Sequence, residues 1–253
     1  MRALLMDIGN TRIKWGVLDG GAISRTGHIT HENIHDQGIT ALASKLPRDV
    51  DTVFASNVAG TTFATRLTGV LGAHCGCDVH FARTDRQAFG VTNSYRQPRR
   101  MGVDRWVAMI GAWSELQTSC LIVDVGTAVT IDALDHKGRH LGGQIVPGVR
   151  LMAKVLTAET SDIPTIGRRV PDAAADMEMF ADNTAAAVRH GAWAAVAGAV
   201  ERANRTLRSN SYKPTVVLTG GDASRMLTAL GDGVLHRPHL VLHGLAHMLE
   251  STR

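Results

Sequence analysis

Apolar residues along this chain come in two rhythms, near-alternating short runs that mark strands and wider spacings that mark helices. The first run, Leu4-Leu5-Met6, stops at Asp7. Gly9 and Asn10 then supply turn chemistry, and apolar positions return with near-alternation from Ile13 to Leu18. This predicts a β-hairpin with a carboxylate at its tip. Residues 22–29 extend it as a third strand, 52–58 and 79–82 read as further strands, and 39–46 and 63–71 have apolar residues at helical spacing. The second half opens the same way, with strands predicted near 120–125, 127–134 and 139–146. It then turns helical: 148–156 and 184–207 read as helices flanking a Pro- and charge-containing loop at 159–176, and Thr215 to Leu218 is a buried strand before Thr219-Gly220-Gly221-Asp222.

The first-half order of three strands, helix, strand, helix, strand is that of a mixed-sheet, RNase H-like domain. One Asp-x-Gly-x-Thr tip is ordinary hairpin chemistry. A second copy changes its meaning: Asp124-Val125-Gly126-Thr127 lies 117 positions after Asp7, about one domain length, between a buried strand and a β-branched return strand. We therefore expect α/β architecture with two duplicated RNase H-like (actin-like ATPase) domains, 1–117 and 118–253, and a cleft between them. Each domain is expected to bring one acidic, Gly-containing hairpin to a polyphosphate and its metal. The first offers the Gly9 backbone, the Asn10 amide, the Thr11 hydroxyl and the Lys14 cation.

Composition narrows the class. At 253 residues and 44% hydrophobic the chain can bury a sizeable core, and with 26 glycines and 4% aromatics that core is built from aliphatic residues joined by tight turns. The net charge of +4 is small, and Arg99-Arg100 and Arg168-Arg169 are short pairs without interleaved aromatics, so nucleic-acid binding is not expected. Cys75, Cys77 and Cys120 are sparse and odd in number, which fits a reducing cytoplasm. His74 to His80 reads as a loop before a strand, and no second cysteine pair completes a metal site. The apolar N-terminal run is too short for a signal peptide, and Arg189, His190, Glu201 and Arg202 interrupt the long helix, so no membrane span is expected.

Three further features have more than one reading. Gly220-Gly221 lets a flat base lie on bare backbone, or is a plain strand-to-helix turn with Asp222 as cap. Gly191, Ala195 and Gly198 permit close helix approach, to a second subunit or within the chain. His239, His243 and His247 recur at four-residue steps as one face of a terminal helix, without the acidic partner of a metal site. Between the halves, Pro98 and Gly102 bracket a loop that leads into an amphipathic helix predicted from Val103 through Leu116. Asp104 there either caps the helix or acts as a base. In the second reading it orients an acceptor hydroxyl and takes its proton late in a loose phosphoryl transfer, with Arg105 facing a carboxylate and Tyr95 lining the pocket.

With Asp7 to Thr11, Asn93 to Tyr95 with Pro98, Gly102-Val103-Asp104-Arg105, Asp124 to Ala128, Gly142 to Gly148, Asn183-Thr184 and Thr219 to Asp222 in this order, the chain resembles the type III pantothenate kinases of the acetate and sugar kinase/Hsp70/actin superfamily. The resemblance implies phosphorylation of pantothenate by ATP, the entry to coenzyme A. It implies that Asp7, Ile8, Gly9, Asn10, Thr11, Arg12, Ile13, Lys14 and Thr127 bind ATP, with Asp7 near Mg²⁺. Asp104 is then the proton acceptor, and Tyr95, Gly102, Val103, Asp104, Arg105 and Thr184 bind pantothenate. Asp124 ligates a monovalent cation, K⁺ or NH₄⁺, and the enzyme is a homodimer. The alternatives are another small-molecule kinase of the superfamily and a catalytically inert accessory factor in gene regulation; joint presence of Asp7, Asp104 and Asp124 argues for catalysis.

Overall fold

The computed structural model describes residues 1–160, 163 and 179–252 and divides into two compact units, Met1–Gln117 with His239–Arg253, and Thr118–Pro238. Most of the loop expected at 159–176 lies outside the described residues. The first unit opens with β1 (Arg2–Ile8), β2 (Arg12–Asp19) and β3 (Ala22–Thr30), followed by α1 (His31–Gln37), α2 (Thr40–Ala43), β4 (Thr52–Asn57), α3 (Thr61–Cys75) and β5 (Val79–Phe81). A short ribbon of β6 (Gln87–Ala88) and β7 (Val91–Thr92) and a 3₁₀ turn at Pro98–Arg100 lead to α4 (Val103–Leu116). The second unit holds β8 (Cys120–Val125), β9 (Ala128–Leu134), β10 (His140–Pro147), α5 (Val149–Glu159), α6 (Thr184–Ser209), β11 (Thr215–Thr219), α7 (Ala223–Leu230) and β12 (Val234–His236). The last helix, α8 (Leu240–Ser251), returns to the first unit.

The two main sheets share one design. Their orders are β3-β2-β1-β4-β5 and β10-β9-β8-β11-β12, an antiparallel meander extended by two parallel strands. In β1, Leu4, Met6 and Ile8 enter a core with Val53, Ala55, Leu67 and Leu71. By strand alternation Leu5 and Asp7 point to the opposite face. Leu5 pairs with Gly16, and a side chain on Gly16 would meet Leu242 of α8 at 3.4 Å, so α8 covers that face. The second core gathers Leu121, Val123 and Ile131 of the meander around Trp193, Val196 and Val200 of α6.

Four expectations need correction. Helix α1 was not anticipated, because Ile34 alone among its residues is buried and so leaves no apolar period; it is started by Thr30, whose side chain accepts from the Asn33 amide. The helix expected at 39–46 shortens to α2. Helix α3 runs on through His74 and Cys75, residues assigned above to a loop, and stops at Gly76 in the left-handed region (φ +67°). The terminal helix α8, placed by the sequence in a domain 118–253, packs instead on α4 of the first unit.

Candidate functional site

The first hairpin is closed by the Gly9 amide donating to the Arg12 carbonyl at 3.1 Å. Asp7 sits opposite Lys14, its carboxylate 4.0 Å from the ammonium. Ile8 and Ile13 are fully buried, so in this turn only their backbones reach a ligand, while Asn10 and Thr11 are exposed. Sequence reasoning missed His31. Its Nε2 donates to the Gly9 carbonyl at 2.8 Å, its own amide donates to the Thr11 carbonyl at 2.9 Å, and its ring meets Phe63 edge-on at 4.9 Å. The turn is therefore braced from twenty-two residues away, a contact for which the sequence carries no local signal.

Also in the first unit, the loop before α4 is assembled around two polar side chains, the buried Asn93 and the exposed Arg86. Asn93, 1% exposed, accepts from the Tyr95 amide through its side-chain oxygen at 2.9 Å. Arg86 donates to the carbonyls of Asn93, Tyr95 and Arg96 at 3.0, 2.8 and 2.9 Å and is the organising cation that sequence reasoning did not find. The loop delivers Tyr95 to Arg105: the guanidinium donates to the tyrosine hydroxyl at 2.9 Å and also lies 5.7 Å from the ring centre. Arg105 is nearly buried, so its charge is held in place. Asp104 occupies the first turn of α4, where negative charge is favoured by the helix dipole, and its Oδ1 accepts from the Arg105 amide at 2.8 Å. A side chain at Gly102 would come within 2.6 Å of that same Oδ1. Tyr95, Gly102, Val103, Asp104 and Arg105 thus form one continuous patch on one loop and one helix start.

In the second unit, the Gly126 amide donates to Ala128 at 3.1 Å and leaves Thr127 exposed. Two glycines press on this tip. A side chain at Gly148 would lie 2.2 Å from the Gly126 carbonyl, and one at Gly220 (φ +103°) would lie 2.4 Å from the Val125 carbonyl and 2.5 Å from Asp124 Oδ1. Gly220 is therefore bare because the hairpin occupies that space, which is a different reason from a stacked base. Asp222 does not cap α7 through its side chain; its amide donates to Val125 at 3.0 Å and its carboxylate accepts from Arg150 at 3.0 Å. Asp124 is flanked in register by Thr130 and Thr219. Oxygen-bearing neighbours of that kind suit a hard cation. Thr184 is exposed at the start of α6, whose cap Asn183 accepts from the Ala186 amide at 3.0 Å.

Among the described residues no group of three or more His, Cys, Asp or Glu side chains is arranged to hold a metal ion, and no helix is long and apolar enough to cross a membrane. The three cysteines are free thiols; burial pushes Cys120 up to about 12, and burial with the neighbouring Cys77 pushes Cys75 up to about 11. His239, at the start of α8, is held below the usual imidazole range by burial and by the nearby Lys14, His243 and His28.

Comparison with known proteins gives the family and the fold. A sequence profile of the type III pantothenate kinases matches residues 3–206. The protein named type III pantothenate kinase in Nitrosococcus oceani is 34% identical over 98% of this chain and 94% of its own, and that of Azoarcus sp. (strain BH72) is 38% identical over 96% and 89%. Among solved structures, a conserved protein from Campylobacter jejuni described as a Baf family transcriptional activator superposes with a TM-score of 0.59 at 20% identity over 98% of both chains. The activator of 2-hydroxyisocaproyl-CoA dehydratase from Clostridium difficile, with bound ADPNP, gives 0.54 at 14% identity over 100% of this chain and 97% of that one. The structural likenesses speak for the fold, duplicated RNase H-like sheets of the actin-like ATPase kind. On the full-length sequence match, this chain belongs to the type III pantothenate kinase family.

Proposed function

We propose that the protein transfers the γ-phosphoryl group of ATP to the 4′-hydroxyl of pantothenate, giving ADP and 4′-phosphopantothenate, the first step of coenzyme A biosynthesis. The observation that carries this reading is the family match across nearly the whole chain, by relatives that are themselves named pantothenate kinases. Those names favour neither another acceptor nor a non-catalytic role.

In this reading Asp104 accepts the hydroxyl proton as the bond to phosphorus forms, and the P–O bond to ADP breaks with its electrons going to the β-phosphate oxygen. Its carboxylate is oriented by the Arg105 amide, and the nearly buried Arg105 guanidinium, steadied by the Tyr95 hydroxyl, faces the acceptor's carboxylate. Gly102 and Val103 line the acceptor with backbone, and Thr184 adds a hydroxyl. Gly9, Asn10, Thr11, Arg12 and Lys14 receive the ATP phosphates with the Ile8 and Ile13 backbones, and Thr127 contributes from the second hairpin. One carboxylate beside one ammonium, as at Asp7 and Lys14, fits a Mg²⁺ that takes its remaining oxygens from phosphate and water. The metal, when bound, neutralises charge on the transferring phosphoryl group. Asp124, with hydroxyl-bearing Thr130 and Thr219 beside it, would hold the monovalent cation, K⁺ or NH₄⁺.

A homodimer belongs to the same proposal. It is supported by α6, where side chains at Gly191 and Gly198 would meet nothing within 4 Å, and by exposed Leu141, Ile145 and Val155 on β10 and α5. A cytoplasmic setting accords with three free thiols. The deciding experiment is ADP release with Mg²⁺-ATP, with and without pantothenate, in K⁺ and in Na⁺, beside Asp104→Asn. Pantothenate-dependent and K⁺-dependent release that the substitution abolishes is expected. ATP binding without stimulation by pantothenate would leave the fold and remove the substrate.

A further inference from the structure

Three arginines remain outside the machinery described above. Arg83, Arg99 and Arg100 line one cavity of about 530 Å³ within the first unit, together with Asn57, Thr84 and Gly102. The cavity lies where parallel strands β4 and β5 end and α4 begins, the edge at which α/β sheets commonly take their ligands. Arg99 and Arg100 stand on the 3₁₀ turn that Pro98 starts, and the Thr84 hydroxyl donates to the Met101 carbonyl at 3.2 Å, fastening the Arg83 segment to the Arg100 segment. All three arginines are exposed, and among the described residues none of them makes an ion pair or a side-chain hydrogen bond. No acidic residue lines the cavity.

Three arginines lining one concavity repel each other, while the N-terminus of α4 is already offset by Asp104 in its first turn. A single carboxylate balances only one of them. A phosphate dianion or a diphosphate brings two to three negative charges and the oxygen geometry that guanidinium forks match in pairs. We propose that this cavity binds a multiply charged phosphate anion, free or carried on a small molecule, at a place separate from the Asp7–Lys14 hairpin. Gly102 and Val103 line both this cavity and the acceptor loop, so on the kinase reading its occupant also bears on acceptor binding. The binding claim itself does not need that reading.

Calorimetric titration of the full chain with inorganic pyrophosphate, free of magnesium, tests it on the wild type, on the Arg99→Gln/Arg100→Gln double variant, on Arg83→Gln and on Lys14→Ala. Wild-type binding is expected to weaken about tenfold or more in the double variant and severalfold in Arg83→Gln. The component of binding that the arginine variants remove should weaken as salt rises and persist in Lys14→Ala, whatever the hairpin itself binds. Circular dichroism confirms that these exposed substitutions leave the fold intact. Absence of pyrophosphate binding by the wild type overturns the proposal. So does binding that Lys14→Ala abolishes and the arginine variants spare, which assigns the anion to the hairpin. Parallel titrations with inorganic phosphate and 4′-phosphopantothenate separate a free anion from a phosphorylated metabolite; tighter binding of either, lost with the arginines, supports the site. Failure of the kinase reading is seen separately, as ADP release that ignores pantothenate.

Discussion

At the scale of single residues, glycine positions separate catalysis from stability. A methyl group at Gly102 would collide only with Asp104 Oδ1, at 2.6 Å, the tip of a side chain that can swing aside at the expense of its bond from the Arg105 amide. Gly102→Ala is therefore expected to fold with nearly unchanged melting temperature while pantothenate-dependent turnover falls on the order of 100-fold, because the carboxylate leaves its working position. Thermal melting beside a steady-state assay checks both halves of that statement; a drop in melting temperature with full activity would refute it. The Gly-x-Asp-Arg sequence was legible as a candidate site. What made it a site was not: Arg86 and Asn93 assemble the loop through backbone carbonyls and amides, and such partners have no residue signature.

At the scale of elements, the obstacle is backbone and the cost shifts to stability. α4 and α8 cross with glycines in contact: a methyl on Gly244 would lie 2.1 Å from the Val107 carbonyl, and one on Gly111 would lie 2.7 Å from the Leu240 carbonyl. Gly244→Ala is expected to cost about 2–3 kcal/mol in urea denaturation by forcing the helices apart. The β9–β10 turn supplies a pH-dependent case. Burial opposes ionisation of Asp135, but the amides of Arg139 and Lys137 and the Arg139 guanidinium, at 2.9, 2.8 and 2.7 Å, outweigh it and hold the carboxyl below its usual range. A depressed folded-state pKa gives stability that is present above the unfolded-state value, about 4, and lost as pH falls through the folded-state value. Asp135→Asn should cost about 1–2 kcal/mol at pH 7, and its deficit against wild type should shrink steadily below about pH 4. Stability curves at a series of pH values measure this; a deficit constant down to pH 2 would contradict it.

At the scale of the whole molecule, the chain returns to its beginning. Leu240, Val241, Leu242 and Leu245 of α8 are buried in the first unit, and together they contribute on the order of 6–10 kcal/mol, comparable with the net stability of a domain. A chain ending at Pro238 is accordingly expected to lose the cooperative unfolding of its first unit and to aggregate, as read by calorimetry and size-exclusion chromatography. A truncated chain that keeps two cooperative transitions would show that α8 is dispensable.

The sequence by itself determined the local pattern: both acidic hairpins, the three-strand meanders, and the start and end of α4. These follow from near-neighbour physics, since alternation, turn residues and helical spacing act within a dozen positions. Tertiary structure alone decided which unit receives α8, why Gly220, Gly244 and Gly148 must be bare, and that His31 braces the first tip. It also decided that Arg83, Arg99 and Arg100 share one cavity. Each of these depends on groups brought together across turns and strands, and one-dimensional periodicity carries no record of which surfaces will meet.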